Sequence, residues 1–223
     1  MSKYLNVFNT LAEYQAFSAS TEYVQPNVAL VKETNVLYYD YGNNKPQADM
    51  SSYKGEFQDI SVGGNYYGKT AITKINYIPS GVTNVNATFQ SFSSLKEVAC
   101  ELPSGIKNMN STFSYCTSLI TAPELPSGLV DMSTTFSYCS SLVKGPVIPS
   151  GVKNMTAAFQ NCSSLKELTF LMITPPTYLS TLNNCSKLET IYVPDESVDT
   201  YKTATGWSQF ADKFKPLSEK PTE

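Results

Sequence analysis

The sequence contains no histidine and no arginine, and all 16 of its basic side chains are lysines. With 19 acidic side chains, its net charge of −3 at pH 7 is small for 223 residues. Because the lysines form no cluster, the chain lacks the basic patch that nucleic-acid binding needs. It also has no run of about 18 apolar residues, so we expect no transmembrane helix and no membrane insertion.

The sequence contains few residues that could form a catalytic site. Without histidine, no His-based catalytic triad can form. The glycine-rich stretch "SVGGNYYGK" at residues 61–69 lacks P-loop spacing. The carboxylates are scattered along the chain, at Glu97, Glu124, Asp131 and Glu167. We therefore expect no enzyme activity, and we assign no catalytic, cofactor-binding or metal-binding residue.

What the chain does contain is a repeat. Four stretches share one pattern: "IPSGVTNVNATFQSFSSL", "LPSGIKNMNSTFSYCTSL", "LPSGLVDMSTTFSYCSSL" and "IPSGVKNMTAAFQNCSSL". Their Pro-Ser-Gly triplets begin at Pro79, Pro103, Pro126 and Pro149, and only the first step is longer, by a single residue. A degenerate copy, "YLSTLNNCSKL", follows at residues 178–188. A period of about 23 residues is typical of stacked-repeat architectures, so the sequence predicts a solenoid.

Aligned copies give five columns of mostly apolar residues, separated by Ser, Thr, Asn and Lys. A single copy is too small to form a core, so the copies must stack and share one. The Pro-Ser-Gly triplet predicts a corner, with φ of Pro fixed at about −65° and Gly accepting a positive φ. The columns are Val82, Ile106, Leu129 and Val152; Val85, Met109, Met132, Met155 and Tyr178; Phe89, Phe113, Phe136, Phe159 and Leu182; Phe92, Cys116, Cys139, Cys162 and Cys185; and Leu95, Leu119, Leu142, Leu165 and Leu188.

The cysteines of the fourth column allow more than one chemistry. Stacked turns place them about 4.8 Å apart, which is a Cα separation that a disulfide can span. The first turn, however, carries Phe92 at this position, and a free cysteine packs like a small buried apolar residue. We predict a ladder of reduced, buried thiols without metal, and disulfides or a metal site are the alternative. The fifth cysteine, Cys100, stands apart from the column.

The repeat unit resembles the BspA-like leucine-rich repeat, which reads roughly L-x-x-I-x-I-P-x-x-V-x-x-I-x-x-x-A-F-x-x-C. The matching stretches are "SLITAPELPSGLVDMSTTFSYC" and "SLVKGPVIPSGVKNMTAAFQNC", and the resemblance covers about residues 70–194. It implies a leucine-rich-repeat solenoid. The segments before the prolines, "ITAPE" and "VKGPV", are poor in apolar residues, which predicts an irregular face at that point.

Residues 1–57 show no repeat and predict a small α+β unit. "YLNVF" indicates a strand, Thr10 and Glu13 form a capping box for a short helix, and residues 28–41 predict a hairpin with its tip at residues 33–35. The opening residues lack a basic start followed by an apolar run, so they predict no secretory signal peptide.

Two stretches of this N-terminal unit, "FNTLAEYQAF" and "PNVALVKETNVLYYD", resemble the leader domain at the start of many virion and prophage-encoded proteins of gut Bacteroidales phages. The resemblance is confined to this part of the chain. It implies a role in attachment or assembly, with the remainder of the chain varying between proteins.

The C-terminal residues leave the repeat. Asp195 is placed to cap a helix that carries Val198 and Tyr201. An exposed solenoid end needs a cap, and a second short helix with Trp207, Phe210 and Phe214 is suited to form it. The last stretch, "PLSEKPTE", predicts a polar tail.

The predicted fold is therefore α+β. Residues 58–194 form a short leucine-rich-repeat solenoid of five turns, each of about 23 residues. Residues 1–57 form a small α+β attachment domain and linker, and residues 195–223 form a helical cap with a polar tail.

Together the two resemblances imply a non-enzymatic phage virion protein that displays a leucine-rich-repeat surface for adhesion. Residues 1–57 would contact other virion subunits, and the solenoid would contact a host-surface glycan or protein. The alternative is a BspA-like adhesin on the bacterial cell surface. Association of the chain with copies of itself fits both hypotheses, and we expect no nucleic-acid partner.

Recognition residues are expected where the turns differ, because stacking already explains the columns that repeat. One variable column contains Tyr115, Tyr138 and Asn161, and another contains Lys107, Val130 and Lys153. Aromatic side chains carry much of the binding energy in interfaces, so the two tyrosines are the first candidates. The alternative is that they only cover the outside of the stack.

Overall fold

The computed structural model describes residues 73–75, 78 and 82–222, together with the backbone of three strands near the N-terminus. Those strands are β1 (Leu5–Phe8), β2 (Val28–Val31) and β3 (Val36–Tyr39), in the order β1-β2-β3. β1 is parallel to β2, whereas β3 is antiparallel to it, so β2 and β3 form the predicted hairpin. The predicted helix at Thr10 and the hairpin tip lie outside the described residues.

The repeats form a solenoid of the α+β class, with parallel strands and few helices. Lys144 pairs with Glu167, and Glu167 pairs with Thr190, so each strand lies beside the equivalent segment of the next copy. The strands are β4 (Lys74–Ile75), β5 (Glu97–Val98), β6 (Lys144–Ile148), β7 (Glu167–Phe170), β8 (Thr190–Val193) and β9 (Phe214–Pro216).

The strands are interrupted in the middle of the solenoid, where the sequence predicted an irregular face. β4 pairs with β5, and β6 to β9 form a four-stranded sheet. Between these sheets lies an isolated bridge from Thr121 to Lys144. Pro123 and Pro146 explain the interruption, because proline has no N–H to donate to a sheet. The register of β6 shifts between Lys144 and Val147, where Pro146 lies.

The opposite side of each turn is a series of β-turns. The N–H of Thr112 donates to the C=O of Met109 at 3.1 Å, and the N–H of Cys116 donates to the C=O of Phe113 at 3.0 Å. The third residues of these turns, Ser111 and Tyr115, have positive φ values of 56° and 62°. This combination is typical of type II turns. Positive φ recurs at Ala87, Ser91, Thr134, Tyr138, Ala157, Asn161, Ser180 and Asn184.

Gly105, Gly128 and Gly151 of the Pro-Ser-Gly corners do not have a left-handed backbone, so that prediction is wrong for these three corners. Gly206, with φ of 78°, is the glycine of positive φ in the described part of the chain. A side chain at these corners would be tight rather than excluded, because the ammonium of Lys107 is the mobile end of a flexible side chain. A Cβ on Gly128 would collide with the ammonium of Lys107, and a Cβ on Gly105 would lie 3.3 Å from Cγ2 of Thr83.

The core consists of the predicted columns. Phe89, Phe113, Phe136 and Phe159 stack face to face along the solenoid, with ring centroids 5.5–5.6 Å apart and interplanar angles of 10–14°. These rings and the columns of Leu and Met are almost fully buried. Only Tyr178 and Cys185, both in the last copy, are partly exposed members of the five columns.

Two rows of polar side chains also link the turns, and the sequence analysis missed both. The hydroxyl of Thr135 donates to the C=O of Met109 at 2.7 Å, one turn earlier. The side chain of Asn108 accepts the N–H of Asn110 at 2.9 Å, as in an Asx-turn. One turn later, Asp131 accepts a hydrogen bond from Nδ2 of Asn154 at 3.0 Å. Asp131 therefore belongs to a structural column with Asn84, Asn108 and Asn154.

The C-terminal cap closes the stack with aromatic side chains. Trp207 is fully buried, lies 5.5 Å from the ring of Phe170 and 5.1 Å from that of Tyr178, and donates from Nε1 to the C=O of Pro176 at 2.6 Å. Trp207 therefore has the capping position that the sequence predicted. The cap contains helix α1 (Val198–Thr203) and 3-10 segments at Asp195–Ser197, Ser208–Lys213 and Leu217–Glu219.

Three details of this cap differ from the prediction. The predicted second helix is a 3-10 segment that ends before Phe214, and Phe214 begins strand β9. Asp195 makes no side-chain cap and instead accepts the N–H of Ser218 at 3.0 Å. The polar tail lies partly on the sheet, because Nζ of Lys220 donates to the hydroxyl of Thr169 at 2.7 Å. The C-terminal segment is polar, as predicted, but its lysine contacts the sheet.

We expect Phe136→Ala to lower the free energy of unfolding by about 3–5 kcal/mol, because it removes a ring from the middle of the stack. Phe136→Leu is the matched control, since Leu182 occupies the same column in the last copy. Phe136→Leu should lower the free energy of unfolding clearly less than Phe136→Ala does. Urea unfolding followed by tryptophan fluorescence measures both variants. Equal losses for the two variants would contradict this expectation, because they would show that the apolar volume retained by Leu contributes nothing and that the ring itself is required.

Candidate binding surface

The structure brings Tyr115 and Tyr138 together on the outside of the solenoid. Their ring centroids are 4.4 Å apart and their planes differ by 8°, so the rings are stacked. They remain 40% and 39% exposed. Because each ring covers one face of the other, the surface they offer to a partner consists largely of ring edges and phenol groups.

The backbone beneath the tyrosines fixes their position. The N–H of Tyr115 donates to the C=O of Ser137 at 2.8 Å, and the N–H of Tyr138 donates to the C=O of Gln160 at 2.7 Å. Both residues have φ of 62°, a left-handed conformation that costs most non-glycine residues about 1–2 kcal/mol. Tyrosine is therefore an unfavourable choice for the backbone alone at these positions.

Asn161 continues the tyrosine column but differs from it in exposure. It is half-buried, and its Oδ1 accepts a hydrogen bond from Nδ2 of Asn184 at 2.7 Å. Asparagine tolerates positive φ better than most residues, which suits the values of 61° and 62° at these two positions. Asn161 is thus engaged with the next turn, and its availability to a partner is lower than that of the tyrosines.

The second predicted column, Lys107, Val130 and Lys153, is exposed along its whole length. Its residues are joined by their backbones: the N–H of Val130 donates to the C=O of Lys107 at 2.9 Å, and the N–H of Lys153 donates to the C=O of Val130 at 2.8 Å. The ammonium of Lys107 lies over Gly128.

The described residues offer little else for chemistry. Within them, no three His, Cys, Asp or Glu side chains are grouped closely enough to hold a metal ion. No helix in the same ranges has the length and apolar character needed to cross a membrane.

The cysteine column is a ladder of thiols that hydrogen-bond to the previous turn. Sγ of Cys116, Cys139, Cys162 and Cys185 donates to the C=O of Phe89, Phe113, Phe136 and Phe159, respectively, at 3.0–3.1 Å. The thiols are unpaired with one another. Three of the four are buried as predicted, whereas Cys185 is partly exposed. The sequence interpretation of this column as purely apolar missed the role of the thiol as a donor.

Burial raises the pKa of these thiols. The pKa of Cys185 rises to about 11, and those of Cys116, Cys139 and Cys162 rise well above the usual 9.0. For Cys139 and Cys162, neighbouring thiols add to the effect of burial. A thiol that resists ionisation is a poor nucleophile and a poor metal ligand, so the ladder suits a structural role.

The raised pKa values predict alkaline destabilisation. Below the unfolded pKa of about 9 the thiols are protonated in both states, and above it the unfolded chain loses protons first. The free energy of unfolding should therefore be constant up to about pH 8 and decrease as the pH rises above 9. Cys139→Ala should reduce the slope of the free energy of unfolding against pH by about 1.4 kcal/mol per pH unit, because it removes one ionisable thiol. Urea unfolding at several pH values, with an uncharged reductant, measures this. Identical slopes would contradict the buried thiol at Cys139.

The family of the chain is shown by comparison with known proteins. The model of the BspA type leucine rich repeat region matches residues 60–174 and 133–205, in six copies. A search of curated proteins found no match. The matched ranges cover more than half of the chain and include strands β4 to β8, the phenylalanine stack and the tyrosine column. The chain belongs to the BspA type leucine-rich-repeat family, and is thus a repeat protein of interaction or adhesion.

Proposed function

We propose that the protein is a non-enzymatic adhesion protein that binds its partner through the tyrosine column. The observation that carries this proposal is the stacked and exposed pair of Tyr115 and Tyr138. The pair sits on a backbone conformation that tyrosine does not favour. Core packing does not explain the choice, because both rings lie outside the core.

Stacking makes the pair suitable for recognition. Two rings that already hold each other in place lose little conformational freedom when a partner binds. Their phenol groups provide hydrogen-bond donors and acceptors beside apolar ring edges, and this combination is common at interface hot spots. Asn161, Lys107 and Lys153 would contribute polar contacts at the margins of such an interface.

The binding prediction is tested with the double variant Tyr115→Asn, Tyr138→Asn. Asparagine occupies the same column at Asn161 and Asn184, so it suits the backbone while removing both rings. Binding of the labelled full chain to gut Bacteroidales cells, measured by flow cytometry, should weaken by about tenfold or more. Thermal unfolding should change little.

The control for this experiment is Ile120→Asn, which removes a side chain that is 51% exposed outside the column. It should leave cell binding unchanged. If the double variant binds cells and assembles into particles as the wild type does, the tyrosines only cover the stack and the site is wrong.

The finer proposal concerns where the protein works. We propose that residues 1–57 attach it to a phage particle and that the solenoid faces a host-surface glycan or protein. The resemblance of "FNTLAEYQAF" and "PNVALVKETNVLYYD" to phage leader domains supports this, and the mixed sheet β1-β2-β3 is compatible with such a unit. Membership in the BspA type family favours the alternative, an adhesin on the bacterial cell surface.

Mass spectrometry of purified phage particles from a producing culture distinguishes these locations. The virion proposal expects peptides of this chain in particles at a fixed ratio to the capsid protein. Fractionation of the same cells provides the control. Peptides confined to the bacterial envelope, with none in particles, would support the adhesin and reject the virion role.

A further inference from the structure

A groove opens on the strand side of the solenoid, away from the tyrosine column. It has a volume of about 340 Å³ and lies between the segments 122–127 and 146–149. This size is within the range of ligand-binding clefts. Most of its lining is apolar, provided mainly by Pro123, Leu125, Pro146, Val147 and Leu171. Val147 and Leu171 are 45% and 41% exposed.

The groove exists because the prolines stop the pairing of neighbouring strand segments. Thr121 bridges to Lys144, and no further pairing joins residues 122–125 to 145–148 in the described structure. On its other side, β6 remains paired with β7 as far as the bond from the N–H of Leu171 to the C=O of Ile148. The opening is therefore confined to one side of β6.

This arrangement turns a peptide group toward the groove. The C=O of Ile148 points at β7, and successive residues of a parallel strand direct their N–H and C=O groups to opposite sides. The N–H and C=O of Val147 consequently point toward the groove, where no hydrogen bond from residues 122–125 meets them. A ligand that enters here finds a main-chain acceptor on an apolar floor.

Glu124 supplies the charge of the groove. It is exposed, lines the groove, and forms no ion pair with the described lysines. Glu101 is its equivalent one turn earlier, and it does not line the groove. No lysine lines it either. An apolar floor with one carboxylate and one free carbonyl is complementary to a side chain with an aliphatic stem and a cationic end.

The same face of the solenoid already holds such a side chain. Nζ of Lys220 donates to Thr169 at 2.7 Å, lies 3.7 Å from Oε1 of Glu167, and sits 5.8 Å from the ring centre of Tyr192. Thr169 pairs with Val147 of the groove. The site that Lys220 occupies and the groove are thus adjacent on one sheet.

We infer that the groove binds a lysine- or arginine-bearing extended segment of a partner protein. The aliphatic stem of the basic residue lies on Pro123, Pro146 and Val147, and its cationic end bonds the carboxylate of Glu124 and the C=O of Val147. Apolar residues flanking the basic residue contact Leu125 and Leu171. This surface is separate from the tyrosine column and from the particle or cell that the column recognises.

The test uses the full chain and three short capped peptides, with the central sequences Leu-Lys-Leu, Leu-norleucine-Leu and Leu-Glu-Leu. Norleucine keeps the aliphatic stem and lacks the charge. Amide chemical shifts of the ¹⁵N-labelled protein report binding at Val147 and Leu171. The lysine peptide should produce saturable shifts there and bind about two- to fivefold more tightly than the norleucine peptide, as expected for a partly exposed ion pair.

Glu124→Gln should remove that advantage, and Glu101→Gln should leave it intact. Both glutamates are exposed, so neither variant endangers folding. Equal binding of all three peptides, an absence of shifts at Val147, or equal effects of the two variants would overturn the inference. Shifts at Val147 that depend on protein concentration alone would assign the groove to a second copy of this chain instead. Tyr138→Asn should not affect any of these measurements, which separates this site from the proposed adhesion site.

Discussion

The hydrogen bonds that run from one turn to the next on the side opposite the sheet determine the rest of this structure. In the second turn, the N–H groups of Met109, Ser111, Phe113 and Tyr115 all donate to the following turn, at 2.8–3.0 Å. Every second residue is thus bonded along the solenoid, as in a parallel sheet, although the chain itself runs through consecutive β-turns. Each turn must therefore satisfy its own β-turns and the hydrogen bonds to the next turn. Together these two conditions fix the distance between turns and their register.

The aromatic rows follow from that register. Equivalent side chains in successive turns must stack, so a ring at one position lies directly against the ring at the same position of the next turn. Inside the solenoid this produces the phenylalanine row, and outside it produces the tyrosine pair. The requirement for positive φ at two positions of each turn has a cost, which the cross-turn bonds and the buried rings offset. The surface proposed for recognition is therefore an extension of the same geometry that builds the core.

Sequence periodicity was sufficient to predict the core columns, but not the backbone of the Pro-Ser-Gly corners. It could not predict the left-handed residues, because Ser, Thr, Ala and Tyr carry no signal for positive φ. The column of Asn84, Asn108, Asp131 and Asn154 was also missed, since its members differ in charge and resemble polar spacers. The thiol donors were missed because cysteine in an apolar column suggests packing alone. Of the candidate site, the sequence placed Tyr115 and Tyr138 in one column, but the face-to-face contact of their rings requires three-dimensional information.

The interruption at Pro123 and Pro146 has a mechanical consequence. Where strands pair, as from β6 to β8, the described turns are tied together on two sides, by strands on one and by β-turn bonds on the other. Beyond Thr121 the strand side is untied, while the bonds on the opposite side continue without a break from Met109 through Tyr138. Among the described turns, the one that contains Pro123 therefore has weaker strand-side links to both of its neighbours, because residues 122–126 belong to neither sheet. A change in curvature at this turn would alter the strand side first, because the bonds of the opposite side hold the phenylalanine row in contact.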